Sequence, residues 1–164
     1  MKLIVIGMQN IITNYARYNH WANEKLSHWL LSLDPAILDR QTPSSFPTVA
    51  LTVRHMQQSQ LFWLGIITKM QPGLPGDITT PETDFGRLLA GSTLMVAAFT
   101  AYTEKELTEE VESIDMAKPR HEFILHAINH NTYHRGQIVT MCRSLGVVDH
   151  VPAMDYEVFL WSER

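Results

Sequence analysis

The sequence predicts an all-α protein, a four-helix bundle with a short C-terminal helix. Apolar residues recur at intervals of three and four along four long stretches, which is the period of a helix that buries one face. Runs rich in proline, glycine or charge separate these stretches, and none of the stretches alternates as a half-buried strand does. With 164 residues, 45% of them apolar, the chain is long enough to bury one core of this kind.

The first two helices are predicted from their apolar period and their end signals. The first runs from Ile11 to Leu33, and Asp34-Pro35 ends it because proline disfavours the helical conformation of the residue before it. Residues 36–46 are predicted to be a connection rich in proline, serine and threonine. The second helix begins near Thr48 and ends at the run Q-P-G-L-P-G, residues 71–76, which cannot continue a helix.

The third and fourth long helices are predicted from the same two signals, the apolar period and the residues at the helix ends. The third runs from about Asp84 to Leu107, and its charged end, T-E-K-E-L-T-E-E, is predicted to face solvent. Residues 108–118 form a short acidic connection. The fourth helix runs from near Pro119 to about Leu145, where Gly146 can cap it. The run D-Y-E-V-F-L-W near the end predicts the short C-terminal helix.

Length and composition predict a single domain over residues 8–164, with residues 1–7 as an extension outside the core. The apolar start spans five residues and no small-residue cleavage site follows, which does not fit a secretory signal. No apolar run approaches the ~20 residues of a membrane span. The single cysteine, Cys142, excludes an intramolecular disulfide and is predicted to be a buried apolar residue. These features predict a cytoplasmic protein.

The charge distribution excludes two classes of partner. The net charge is −4, and residues of both signs are spread along the chain. Proteins that bind nucleic acid or anionic lipid usually carry a basic patch or stripe, which this sequence lacks. We therefore expect no nucleic-acid partner and no membrane partner.

Three histidines in the predicted fourth helix, His126, His130 and His134, fall four residues apart. Residues at this spacing share a helix face, so two of the rings can bind one divalent metal ion. The spacing allows either His126 with His130 or His130 with His134. A third ligand would come from a facing helix, where His55 is the candidate. The competing interpretation is that these are core or rim histidines satisfied by hydrogen bonds.

Other histidine patterns exclude several known sites. His121-Glu122 begins H-E-F-I-L-H, which has one residue too many for the zincin motif H-E-x-x-H. No Glu-x-x-His occurs, which excludes the ligand repeat of di-iron bundles. His20, His28 and His150 are predicted to have surface or capping roles.

Four segments, in order, resemble those of the DinB/YfiT-like family of metal-dependent proteins. They are Y-A-R-Y-N-H-W-A-N-E-K-L, S-F-P-T-V-A-L-T-V-R-H-M-Q-Q-S-Q-L-F-W, I-N-H-N-T-Y-H-R-G-Q-I and P-A-M-D-Y-E-V-F-L. The resemblance covers residues 8–164 and implies a four-helix bundle with a three-histidine metal site at one end of a cleft. By position it implies His55, His130 and His134 as ligands, with His126 unligated one turn away.

Roles can also be predicted for the residues around the implied ligands. Gly136 is predicted to allow close helix approach. Arg135 and Gln137 either order neighbouring groups and orient a ligand imidazole, or Arg135 points to solvent. Tyr133 and Trp63 are predicted to pack in the core rather than to wall a cleft. No residue is identified as a general acid or base.

The resemblance implies a function for this site. Three imidazoles leave a coordination position open, the arrangement of catalytic rather than structural zinc. It implies one divalent transition metal (zinc, nickel or iron), a small-molecule substrate, thiol S-transfer with a low-molecular-weight thiol or hydrolysis, and a homodimer. The alternative is a non-catalytic metal-binding or protein-interaction bundle.

Overall fold

The computed structural model describes residues 7–70 and 81–163, so the Q-P-G-L-P-G run and most of the predicted extension lie outside the described residues. The helices are α1 (Met8–Leu31), α2 (Pro35–Leu38), α3 (Val49–Thr68), α4 (Pro81–Thr100), α5 (Glu104–Thr108), α6 (Arg120–Ser144) and α7 (Tyr156–Ser162). Two short strands, β1 (Glu110–Glu112) and β2 (Ala117–Pro119), precede α6. Within the described ranges, no helix is both long enough and apolar enough to cross a membrane.

The long helices form the predicted four-helix bundle. Helix α1 packs on α4, α4 on α3, α3 on α6, and α6 on α1, which closes the ring of four. The short helix α7 packs on α1, where Phe159 contacts the rings of Tyr18 and Trp21. The aromatic residues of α1 therefore have partners within the same chain.

The connection after α1 contains one helical turn, which was not predicted. Asp34 accepts a hydrogen bond from the backbone N–H of Ala36 at 3.0 Å, and Pro35 takes the first helical position. The dipeptide that ends α1 therefore also begins α2, since proline is favoured at the start of a helix. The next predicted start is confirmed, because the Thr48 hydroxyl accepts from the backbone N–H of Leu51 at 3.2 Å and caps α3.

The third long helix is shorter than predicted. Helix α4 ends at Thr100, and a separate helix, α5, begins after Thr103. The Thr103 hydroxyl accepts from the backbone N–H of Glu106, and the Glu106 carboxylate accepts from the backbone N–H of Thr103, a reciprocal capping box. The prediction of one helix to Leu107 was therefore wrong. The charged run faces solvent as predicted, with only Leu107 buried in the core.

The acidic connection before α6 is a small hairpin rather than an irregular loop. Strand β1 pairs antiparallel with β2, with Val111 opposite Lys118. Val111 faces the core between two exposed glutamates. The alternation E-V-E is the only sequence signal of this strand, and three residues are too few to distinguish it from a loop.

The end of α6 confirms the predicted cap. Gly146 has a φ of 90°, a left-handed conformation that favours glycine. Its N–H donates to the carbonyl of Arg143, and the N–H of Val147 donates to the carbonyl of Cys142. These two bonds form a Schellman motif. Cys142 is buried as predicted, and burial raises the pKa of its thiol to about 11.

The core of the described residues has two large apolar clusters with a polar layer between them, and a small third cluster where α7 packs on α1. One large cluster includes Ile12, Leu64, Phe99 and Ile128, and the other includes Leu30, Met56, Leu88 and Ile138. The third consists of Tyr18, Ala22 and Phe159. The buried side chains of the polar layer come from all four long helices: Asn19, Asn23, Gln60, Ser92, Asn131 and Arg135. Each of these residues lies between apolar positions of its own helix, so the layer crosses the bundle.

Candidate metal centre

Helices α3 and α6 bring three histidine side chains to one point. The Nε2 atom of His130 lies 3.0 Å from Nε2 of His55 and 3.2 Å from Nε2 of His134. One nitrogen from each ring lies within 4.8 Å of the other two. His130 and His134 come from successive turns of α6, and His55 reaches them from the facing helix. The structure therefore brings together the three residues that the resemblance implied.

The spacing and chemistry of these nitrogens fit a transition-metal ion. Two nitrogens bound at about 2.0–2.1 Å to a tetrahedral ion lie about 3.3–3.4 Å apart. The observed separations of 3.0 and 3.2 Å are close to that value. A neutral imidazole has one N–H and one lone pair, and converging lone pairs repel unless a proton or a cation lies between them. The donor set thus suits zinc, nickel or iron alike.

Gln137 determines which nitrogen of His134 is free. Its Oε1 lies 2.7 Å from Nδ1 of His134, so Nδ1 donates the hydrogen bond and Nε2 keeps its lone pair. The Gln137 amide nitrogen in turn donates to the Ser45 hydroxyl at 3.3 Å. Such partners orient metal-binding imidazoles in many proteins. This contact supports the predicted orienting role of Gln137.

Phe46 covers the ring of His55. The two rings are stacked with centroids 4.3 Å apart, and the Phe46 centroid lies 5.9 Å from that of His134. Phe46 and Ser45 belong to the connection before α3, and neither was predicted to lie at the site. The only sequence feature that could have indicated their role is the tripeptide S-F-P directly before the helix cap. A connection lacks the periodic apolar pattern that shows which way the side chains of a helix point.

The environment keeps the three rings neutral. Burial lowers the pKa of His55 and of His134. Burial and the neighbouring rings of His134, His55 and His126 lower the pKa of His130 to about 4. A neutral ring is the form that binds a metal ion, because protonation removes the lone pair.

His126 lies outside the cluster. Its ring is exposed, stacks 5.9 Å from His130 between centroids, and contacts Trp63 with centroids 4.6 Å apart. The structure therefore selects the pair His130 and His134, which spacing by itself could not do. Trp63 is half-buried and packs against the core as predicted.

A neutral cleft of about 780 Å³ lies beside the histidines on the surface of α6. Tyr133 and Gln137 line it, and the ring centroid of Tyr133 lies 5.2 Å from that of His134. The prediction that Tyr133 packs in the core was wrong, since 60% of it is exposed. No charged residue is among the lining, which consists of Pro43, Ser44, Ser45, Tyr133, Gly136, Gln137, Thr140, Met141 and Ser144.

Arg135 and Gly136, the two residues that follow His134, each contradict one of the roles considered for them. Arg135 does not point to solvent, because only 2% of it is exposed and it donates to Asn19 and Asn23. Gly136 does not mediate close helix approach, since it is exposed and a methyl group in place of its hydrogen would meet nothing within 4 Å.

Two of the three histidines predicted to have surface or capping roles lie on the surface. His28 and His150 are exposed, as predicted. His20 is half-buried and its Nδ1 lies 2.8 Å from the Ser92 hydroxyl, with Glu24 3.7 Å from its Nε2. It lies in the polar layer rather than at the metal centre.

Comparison with known proteins agrees with this architecture. The protein resembles Protein DinB of Bacillus subtilis (strain 168), with 23% identity over 90% of this chain and 92% of the relative. A DinB-like protein from Bacillus cereus ATCC 10987 shares the fold with a TM-score of 0.68 and 22% identity, covering 85% of this chain and 94% of the other. A DinB-like protein from Bacillus subtilis also gives a TM-score of 0.68, at 15% identity over 89% and 99% of the two chains. The family model described as DinB family matches residues 8–164, and the chain therefore belongs to the DinB family.

Proposed function

We propose that His55, His130 and His134 bind one divalent transition metal and that this centre catalyses chemistry on a small molecule in the neighbouring cleft. The observation that carries the proposal is the convergence of three Nε2 atoms, with separations of 3.0 and 3.2 Å, from two helices. These three imidazoles would hold the ion, which would supply Lewis-acid chemistry to a substrate atom in the cleft.

The protein side chains around the site supply positioning. Gln137 holds the His134 ring in one tautomer, and Phe46 covers one face of His55. The cleft beside them offers hydroxyl groups from Ser44, Ser45 and Thr140 and carries no charged side chain. We propose that its substrate is a small molecule whose bound part is polar and uncharged.

Thiol transfer fits this cleft better than hydrolysis does. No carboxylate lines the cleft, so the protein offers no evident base there to remove a proton from water. A bound divalent metal would lower the pKa of water and of a thiol alike, but a thiol, whose ordinary pKa is about 8.5, starts much closer to neutral pH than water does. We therefore propose that the nucleophile is a low-molecular-weight thiol and that the protein acts in the reducing cytoplasm, where such thiols accumulate.

Metal content of untagged protein tests the centre directly. Elemental analysis would be done after growth with zinc, nickel or iron, on wild type and on His55→Ala, His130→Ala and His134→Ala. We expect about one metal per chain in wild type and loss in all three variants. His126→Ala is the matched control, since it removes a histidine one turn from His130 on the same helix.

The outcomes separate the hypotheses. Metal retained in His55→Ala would contradict a site shared by α3 and α6. A metal-free wild type after supplementation would favour a non-catalytic interaction bundle. With the metal established, consumption of a thiol and an electrophile by wild type and not by His130→Ala would support transfer, whereas ester or amide cleavage without thiol would support hydrolysis.

A further inference from the structure

The guanidinium of Arg135 is a buried positive charge with only neutral hydrogen-bond partners. Nη1 donates to Oδ1 of Asn19 at 3.0 Å and of Asn23 at 2.9 Å, and Nη2 donates to the Thr132 hydroxyl at 2.8 Å. The ion pairs among the described residues involve other side chains. A buried charge without an opposite charge is costly, so an anion at this point would be strongly favoured.

The bonds to Asn19, Asn23 and Thr132 use Nη1 and Nη2 of this guanidinium and leave Nε out. Tyr18 of α1 also contacts the guanidinium, whose carbon lies 5.3 Å from the centre of the Tyr18 ring. All of these partners are neutral. Nε and Nη2 of an arginine lie side by side and together form a fork that binds a carboxylate or phosphate through two parallel bonds.

A second cleft, of about 500 Å³, opens at Arg135 between α6 and residues 151–155. Arg143, two turns further along α6, lines the same cleft and is exposed. The Thr140 hydroxyl lies between the two arginines along the helix. Asp155 is the single acidic residue of the lining, so the arginines outnumber it. The cleft therefore carries a net positive charge, unlike the neutral cleft beside the histidines.

We propose that this second cleft is a binding site for a small oxyanion, a carboxylate or a phosphate, held by the Nε and Nη2 edge of Arg135 and attracted by Arg143. Its volume suits a ligand of metabolite size. The site adjoins the neutral cleft, with which it shares Gly136 and Thr140, but none of the three histidines lines it. Arg135 bonds to residues of α1, whereas His134 meets His55 of α3. It does not depend on the proposed catalytic function.

Isothermal titration calorimetry at constant ionic strength tests the site, with inorganic phosphate and succinate as separate probes. We expect saturable binding of at least one probe to wild type, and the tighter one identifies the class of ligand. Arg143→Gln should weaken binding by about two- to fivefold, the effect of an exposed charge. Arg135→Lys should weaken it by about tenfold or more, since lysine keeps the charge and lacks the fork.

Two further variants make the test specific. Asp155→Asn removes the single repelling charge and should tighten binding, the opposite of Arg143→Gln. Arg17→Gln removes an exposed arginine of α1 outside the cleft and should leave binding unchanged. If Arg135→Lys does not fold, the opposite shifts of the variants at Arg143 and Asp155 still decide the question.

Binding must persist in His55→Ala, which removes a residue of the metal centre and none of this cleft. Loss of binding in that variant would place the anion at the metal centre and overturn the proposal. Absence of saturable binding of both probes to wild type would overturn it too, as would equal weakening in Arg143→Gln and Arg17→Gln. Failure here leaves the metal analysis unaffected, so the two proposals are tested independently.

Discussion

His130 is central to the candidate metal centre, because its Nε2 lies between those of His55 and His134. It also has the most strongly lowered pKa of the three rings, since burial and the three neighbouring imidazoles of His134, His55 and His126 all oppose its protonation. At this scale, the orientation and protonation of each candidate ligand depend on a few contacts that single substitutions can remove.

Removing the acceptor of Gln137 should weaken metal binding without unfolding the protein. In Gln137→Leu the His134 ring loses the partner of its Nδ1–H, so it is free to rotate or change tautomer. We expect metal affinity to fall by about 10- to 100-fold, as measured by titration against a competing chelator. Gln137→Glu keeps an acceptor at the same place and should retain the affinity. Equal loss in both variants would contradict this role.

The metal-free protein should lose stability in a defined acidic range. The pKa of His130 is lowered from 6.5 to about 4 in the folded chain. Between these values the unfolded chain binds a proton that the folded chain does not, so stability falls as pH decreases from about 6.5 toward about 4. Urea unfolding of chelator-treated protein across this range checks the slope.

Variants at two histidines define the origin of that slope. His130→Gln should flatten the pH dependence, because the group with the lowered pKa is gone. His28→Gln replaces an exposed histidine of α1 and should keep the wild-type profile. The same flattening in both variants would assign the effect to histidines in general.

The helices depend on local capping, which the sequence shows in part. The Thr48 and Gly146 signals were read correctly, because a cap follows from a few adjacent residues. The break between α4 and α5 was missed, although T-E-K-E contains the capping-box pattern. A continuous helix and two capped helices share nearly the same apolar period, so that period does not distinguish them.

The capping box at Thr103 should contribute measurably to stability. Thr103→Ala removes the acceptor for the backbone N–H of Glu106, and we expect the free energy of unfolding to fall by about 1 kcal/mol. Thr103→Ser keeps a hydroxyl and should restore most of it. Thr93→Ala, at an exposed position inside α4, is the control and should change stability little. Urea denaturation of the three variants measures these differences.

Two glycines should respond in opposite directions to alanine. Gly146→Ala places a side chain at a φ of 90° and should lower the free energy of unfolding by about 1 kcal/mol. Gly86→Ala lies on the exposed side of α4, where the new methyl group meets nothing within 4 Å, and should raise it by about 1 kcal/mol. Thermal unfolding of both variants checks the signs, and a stabilising Gly146→Ala would contradict the Schellman cap.

The whole bundle combines apolar clusters, a polar layer and three histidines, a candidate metal centre, that bring two helices together. Buried polar groups are poor sources of stability but can specify which helices pair and in which register. Here Gln60 of α3 accepts from Asn19 and Asn23 of α1, and both asparagines accept from Arg135 of α6. The layer therefore connects helices that are far apart in sequence.

A bound metal should stabilise the bundle as a whole. Because the ligands come from α3 and α6, unfolding destroys the site, and binding shifts the equilibrium toward the folded state. At a free metal concentration of about 100 Kd we expect a gain of about 2.7 kcal/mol. Urea unfolding with and without metal measures it. His126→Ala should keep the gain and His55→Ala should lose it; a gain retained in His55→Ala would contradict binding between these helices.

The sequence by itself determined the helical class, the approximate positions of the four long helices and the histidines able to meet. These follow from period, caps and spacing, which are properties of adjacent residues. Only the tertiary structure shows that His134, and not His126, joins His55 and His130. It also buries Arg135 among neutral hydrogen-bond partners and brings Phe46 onto the ring of His55. These outcomes depend on how α1, α3 and α6 are oriented about their axes and on where the connection before α3 packs. Both are set by contacts between distant segments, so no single segment of the sequence determines them.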